Sequence, residues 1–410
     1  MKTDINLKIE NNCMIETVKG FRDVLPPESL RRQKIREVIE KKFKLFGFMP
    51  IETPTIEYEE LVRGDNQNDA AVSDRFRLKD RGERDLALRF EFTFQLKRIF
   101  KENPNIKLPF RRYQIGYVFR DEPVEKNRYR EFIQCDADII GDASVKADAE
   151  CLALAGNICK ELGIKYTMKI NNRRLVNSIL QKLQIKDGEN VLRELDKLDK
   201  VGEVEVKKSL EKYADKNKID KLFKTLNNKI SFFLEKKFEG AQETAELLRI
   251  CKSYKVKAEF SPFMMRGLAY YTGSVFEGYA PEIKGSLFAG GRYDNSVGRY
   301  IGRQIPAVGI SFGRLLDYPK IKAELARCII ISIGQDSAAI KTAKTLRENN
   351  ISCFAMDKVS KALEFANYYQ IPFVIFIGQQ EVKAKKIKLR NMKTGEEELL
   401  SVEKIIEKLK

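Results

Sequence analysis

The chain is predicted to be an α+β protein with a helical insertion and a separate C-terminal α/β unit. Three observations lead there. Residues 112–119 and 132–140 carry strand-like patterns on either side of a charged loop. Residues 173–254 lose that alternation and become rich in leucine and charge, as in VLRELDKLDK. Residues 328–377 interleave short apolar runs with helical stretches, the pattern of a sheet with parallel strands. The boundaries that follow are a first part at 1–175, the insertion at 176–254, a second part at 255–320 and the terminal unit at 325–410. At 410 residues the chain is long enough for several cores of its own.

In order, GFRDVLPPES (20–29) is a turn rich in Gly and Pro, and a helix runs from it to about Phe46. Ile35, Val38, Ile39, Phe43 and Phe46 recur at helical spacing, and Gly47 supplies a stop. FMPIETPTIE (48–57) is expected to be one edge or interface strand, because its two prolines cannot serve a central ladder. Residues 74–85 form a strand and a charged turn. Leu86, Leu88 and Phe90 then alternate with Arg89 and Glu91 before residues 94–100 turn helical.

The hairpin follows. Phe132, Gln134, Asp136 and Asp138 fall on one face, and Ile133, Cys135, Ala137 and Ile139 on the other. Arg120, Arg128 and Arg130 gather at its mouth, with Glu122, Gln134 and Asp138 on the same ribbon. Guanidinium forks in such number suit a polyanion; the same spacing also suits a solvated charged hairpin. Residues 147–162 are helical and 166–172 a strand. Beyond the insertion come MMRGLAYYTGSVFE (264–277), FAGGRYDNSVG (288–298), expected to be a glycine-rich turn, and IPAVGISFGRLLDY (305–318). In the last unit, strands are expected at 328–333, 351–355 and 372–377, helices at 338–346 and 361–369, and a hairpin turning at 393–395 before a terminal helix. KAKKIKLRNMK (383–393) sets basic residues along one of those strands.

Composition narrows the chemistry. Seventy-six Lys and Arg against 59 Asp and Glu leave a net charge of +17, which calls for an anionic partner such as a nucleic acid; a lysine-rich genome would give the same bias. With no histidine in the chain, a histidine base, triad or metal ligand is excluded. Arginine, carboxylates and bound magnesium can still perform phosphoryl or adenylyl transfer, which relies on positioning and charge. The seven cysteines form no C-x-x-C pair and suggest neither a disulfide framework nor a zinc site. No run approaches the ~20 apolar residues of a membrane span. MKTDINLKIENN lacks a signal-peptide core, so a cytoplasmic location is expected.

FRDE…RYREF.Q.D.DI.G (119–141) resembles motif 2 of the class II aminoacyl-tRNA synthetases, in its histidyl-tRNA synthetase form. The resemblance extends over about 17–177 and 255–410. It implies the class II antiparallel sheet with flanking helices, and an anticodon-binding domain at the C-terminus. It also implies a homodimer built by the helix and strand of motif 1, with L-histidine, ATP accompanied by Mg2+, and tRNA(His) as ligands. By that resemblance Arg120 grips the α-phosphate, with Glu122 also at the ATP site, and residues 123–130 meet the acceptor end of tRNA. LRFEFT resembles the family's LRPEGT, which implies Glu91 and Thr93 at the α-ammonium; as a residue alone Glu91 better suits a solvent-facing strand position. RGLAYYTGSVFE resembles RGLDYYTG.VFE, which implies Arg266 at the α-phosphate and carboxylate and Tyr271, with Tyr270 alongside, at the imidazole pocket together with Asp138; Gln134 completes the amino-acid contacts. The stretch 305–318 resembles motif 3, a strand entering a helix whose arginine, here Arg314, meets the γ-phosphate. The departures are Phe90 and Phe92 for Pro and Gly, Ala269 for Asp, and Arg314 directly after Gly313 where the family has two residues between: either two residues are deleted and Arg314 serves, or the position belongs to Leu316 and the contact is lost. A non-catalytic relative, such as the regulatory subunit of ATP phosphoribosyltransferase, is the alternative, and a sister synthetase for another amino acid a third.

Overall fold

The computed structural model describes residues 15–63, 74–124, 128–265 and 271–410. It divides into two compact units, one made chiefly of Ile35–Pro319 and the other of Lys320–Lys410 with Val24–Lys34.

In the first unit a small sheet joins β2 (Ile56–Tyr58), β4 (Asp85–Leu88) and β3 (Arg77–Lys79) in that order. The large sheet has eight strands in the order β1 (Met49–Pro50), β5 (Phe110–Phe119), β6 (Glu131–Ile140), β11 (Ala307–Ser311), β10 (Ser286–Arg292), β9 (Ser274–Tyr279), β7 (Thr167–Asn172) and β8 (Ala258–Phe260). Its neighbours are antiparallel except at the two edges, where β1 runs parallel to β5 and β8 to β7. The stretch 48–57 is therefore two strands in two sheets. The pairing of β1 with β5 runs through Pro50, with Ile51 N still donating to Tyr113 O at 2.9 Å, and the chain then passes through Pro54, which has no N–H for a ladder, to begin β2.

The helix Glu28–Leu45 buries Ile35, Val38, Ile39 and Phe43. The Phe43 ring meets Phe48, Tyr113 and Phe312. The helix Val145–Glu161 is buried along Leu152, Leu154 and Ile158. Gly290 and Gly291 belong to β10 and not to a turn. A Cβ on Gly290 would stand 2.2 Å from the Gly309 carbonyl, so glycine here is a matter of cross-strand clearance.

The insertion is helical throughout, from Arg173–Lys182 to Ala241–Ser253, around a core that includes Leu175, Ile179, Leu192, Leu222 and Phe233. The Asn172 side chain accepts from Arg174 N at 2.9 Å and caps its first helix.

The second unit orders its sheet β13 (Cys353–Met356), β12 (Cys328–Ser332), β14 (Phe373–Ile377), β15 (Ile387–Asn391), β16 (Glu397–Leu400). The first three are parallel and the last two turn back as a hairpin. The basic stretch 383–393 is divided: its start closes a short helix, Gln379–Ala384, and only 387–391 is strand. No helix among the described residues is long and apolar enough to cross a membrane.

Candidate active site

Cross-strand neighbours of an antiparallel pair project to the same side. The β5–β6 register pairs Arg112 with Asp138, Gln114 with Asp136 and Gly116 with Gln134, and so builds a polar ladder inside the protein. All five side chains are buried, Arg112 completely. Sequence reasoning singled out Gln134 and Asp138. It placed Asp136 on the same face without singling it out and left Arg112 and Gln114 aside, although their two-residue spacing was the available signal.

The ladder is tightly organised. Gln134 Nε2 donates to Asp136 Oδ2 at 2.8 Å, and Gln114 Nε2 to Thr53 Oγ1 at 2.9 Å. Asp136 Oδ1 is buried without a hydrogen-bond partner. Burial pushes the Asp136 carboxyl up to about 6, against the opposing pull of Arg112. Asp138 Oδ1 accepts from the Tyr293 hydroxyl. Its Oδ2 lies 2.6 Å from Arg112 Nη2, a charge contact that is not aligned as a hydrogen bond. Gly309, opposite Asp138 on β11, makes the room: a Cβ there would sit 1.9 Å from Asp138 Oδ1.

At the mouth, the Arg120 guanidinium lies against two rings, 4.4 Å from the Phe90 centroid and 5.2 Å from that of Phe132. Its Nη2 donates to Gln134 Oε1 at 3.4 Å. Arg128 and Arg130 are paired locally, with Glu122 and Asp121 respectively, so only Arg120 of the three is stacked over the ladder's end. Glu122 faces Arg128 in this arrangement. Residues 125–127 of the loop lie outside the described residues.

The segment after β4 is braced onto the hairpin by Arg89, whose Nε donates to Tyr117 O at 2.6 Å and Nη1 to Thr53 O at 2.9 Å. This brings Glu91 beside Arg120. Glu91 Oε1 is buried without a hydrogen-bond partner, and burial lifts the carboxyl to about 7 while Arg120 pulls the other way. Thr93 is buried at the N-cap of the helix Phe94–Glu102 and makes no side-chain cap bond.

Arg266 and Tyr270 lie outside the described residues. Tyr271 is described; a Cβ on Gly291 would come 2.9 Å from its Cδ1, so the ring rests on bare backbone. The motif 3 stretch departs from the expected strand-to-helix form. After β11 comes only a 3-10 turn, Leu315–Asp317, because Pro319 holds Tyr318 extended and cannot continue a helix. Arg314 Nη1 donates to Lys284 O at 2.8 Å.

Comparison with known proteins agrees with this geometry. The sequence profile described as histidyl-tRNA synthetase matches residues 20–314, and that of an anticodon binding domain residues 327–410. Histidine–tRNA ligase 1 of Bacillus anthracis is 36% identical over 411 residues, covering 93% of this chain and 97% of the relative. The histidine–tRNA ligase of Clostridium tetani is 36% identical over 430 residues, covering 95% and 97%. Among solved structures, the histidyl-tRNA synthetase of Nostoc sp. PCC 7120 superposes with a TM-score of 0.84 at 26% identity, covering 96% of this chain and 98% of that one. A protein of Bacillus halodurans described as an ATP phosphoribosyltransferase regulatory subunit/histidyl-tRNA synthetase superposes at 0.72 with 25% identity, covering 88% and 98%. With a profile spanning more than half of its length and relatives matched nearly end to end, the chain belongs to the histidyl-tRNA synthetase family.

Proposed function

We propose that the protein activates L-histidine with ATP and transfers the histidyl group to the 3′ end of tRNA(His). In the first step the amino-acid carboxylate attacks the α-phosphorus, a P–O bond forms, the bond to the bridging oxygen breaks and pyrophosphate leaves. In the second, a terminal ribose hydroxyl of the tRNA attacks the acyl carbon and AMP departs. The observation that carries this reading, beside the family itself, is Glu91. A buried carboxylate oxygen without a partner, next to the Arg120 guanidinium stacked on Phe90 and Phe132, suits an α-ammonium held close to an anionic reacting centre.

In this reading Arg120 and Arg266 stabilise charge at the α-phosphate, and Glu122 and Arg314 belong to the ATP site. Glu91, Thr93 and Gln134 hold the amino-acid end, while Asp138, Tyr270 and Tyr271 read the imidazole. Magnesium would arrive on the phosphates of ATP, where it commonly keeps several waters, and no protein ligand is assigned to it. The exposed Leu45 and edge-strand Met49 are consistent with a homodimer through motif 1. The basic stretch 383–393 suits an RNA backbone, although Lys388 and Arg390 within it are each 3.5 Å from Glu397. A cytoplasmic location follows from the same role.

Pyrophosphate exchange with each amino acid in turn is the test, comparing wild type with Arg266→Ala. Exchange that requires histidine and collapses in the variant is expected. No exchange with any amino acid, from folded protein that still binds histidine, would sink the reading. It would favour the regulatory-subunit alternative, for which the shortened motif 3 and the Bacillus halodurans neighbour speak.

A further inference from the structure

Arg112 took no part in the sequence reading, yet it is fully buried and touches both halves of the site. Its Nη2 lies 2.6 Å from Asp138 Oδ2 and also donates to Phe92 O at 3.3 Å, between Glu91 and Thr93. Its Nε and Nη1 are buried and have no hydrogen-bond partner among the described residues. A buried cation with unmet donors is expensive, and a fold that needed only packing would place a leucine here.

We propose that Arg112 is the positioning residue for histidine specificity: it keeps Asp138 ionised and aimed, so that Oδ2 is presented as a hydrogen-bond acceptor to the substrate's imidazole N–H. This rests on the histidine reading given above. The groups around Asp138 support it. Tyr293 satisfies Oδ1 and stops the carboxylate rotating, while Gly309 leaves it space. Oδ2 has the charge of Arg112 close by but no aligned donor, so a lone pair stays open for a ligand. Asp136, the next carboxylate along β6, and Glu91 across the ladder both repel a second negative charge. Burial drives Asp138 towards its neutral form, and Arg112 is the principal group acting against that. A neutral Asp138 would turn its proton outward as a donor and lose its distinction as an acceptor.

The experiment is pyrophosphate exchange over a range of pH with wild type, Arg112→Met, Arg112→Lys, Asp138→Asn and the double variant Arg112→Met/Asp138→Asn. Arg112→Met is expected to raise KM for histidine about 10- to 100-fold, the range for a charged hydrogen bond, while KM for ATP stays within about twofold. Arg112→Lys should recover part of the loss, as a retained charge without the fork. In Arg112→Met the loss should shrink as pH rises and Asp138 ionises, an inflection that wild type lacks. In the Asp138→Asn background, removing Arg112 should change KM for histidine by less than about twofold, because two groups acting as one are not additive. Additive losses, an equal rise in KM for ATP, or a pH profile parallel to wild type would overturn the inference. If Arg112→Met fails to fold, the double variant, which leaves no unpaired charge, and Arg112→Lys carry the same test. Absence of histidine-dependent exchange in wild type would instead strike the histidine reading itself.

Discussion

The hairpin β5–β6 and the pair β12–β14 are both buried ribbons at the heart of a sheet, and they are filled in opposite ways. In β12 and β14, Ile329, Ile330, Ile331, Val374 and Ile375 are fully buried and apolar. In β5 and β6 the equivalent depth holds Arg112, Gln114, Gln134, Asp136 and Asp138, several with polar atoms that find no partner. The apolar ribbon is what folding asks for. The polar one gives up stability, and its unmet atoms are of the kind an amino acid with an ammonium and an imidazole would complete. Cost without local return is what the proposed function explains, and it points to this ribbon as the working face more clearly than any single motif.

That contrast can be broken from either side. The largest effect on stability is expected from Ile330→Ala, at about 2–5 kcal/mol by calorimetry, with pyrophosphate exchange unchanged at a temperature where the variant is folded. Loss of exchange in folded protein would mean that the apolar ribbon also serves the site.

Glu91→Gln tests the polar side, and should lower kcat/KM for histidine about 10- to 100-fold. It should also change the pH dependence of stability. The folded-state value of about 7 lies above the ordinary 4.5, so the folded protein holds this proton more tightly. That contribution is complete below about pH 4.5 and is lost as pH rises through 7, to the extent of roughly 3 kcal/mol. Asp136, raised to about 6, works in the same direction between about pH 4 and 6. Thermal melts of ligand-free protein should therefore fall from pH 5 to 8 in wild type and less steeply in Glu91→Gln; identical slopes would show that Glu91 is not sealed.

Gly309→Ala should cost about 1–3 kcal/mol through overpacking and raise KM for histidine by displacing Asp138. An unaffected KM would separate Asp138 from substrate. Arg314→Ala should have the smallest effect, a rise of less than about tenfold in KM for ATP, since this side chain is already engaged with Lys284 O. A loss of a hundredfold or more would give Arg314 a larger share of the γ-phosphate than its present contact suggests.

Much of this could be read in the chain alone, because period-two alternation and helical spacing are local signals. The hairpin came out within two residues at its start and one at its return, and the insertion was visible as a change of texture. The failures were non-local. Gly290 and Gly291 looked like a turn because the neighbouring strand that requires their bareness is distant in sequence. Arg112 looked like one more basic residue until the register set it against Asp138. Arg128 and Arg130 looked available for a polyanion until Glu122 and Asp121 were seen to engage them. The altered spacing of motif 3 is legible in the chain, but its single 3-10 turn in place of a helix depends on Pro319, which lies just past the motif.

Asp138 Oδ1 occupies the volume that a Cβ on residue 309 would need. The two positions thus share one small parcel of space, although they lie 171 positions apart along the chain. Anyone seeking to change the amino acid accepted by this protein should randomise them together. A library that varies 138 alone samples only side chains compatible with a bare neighbour, and one that varies 309 alone returns glycine.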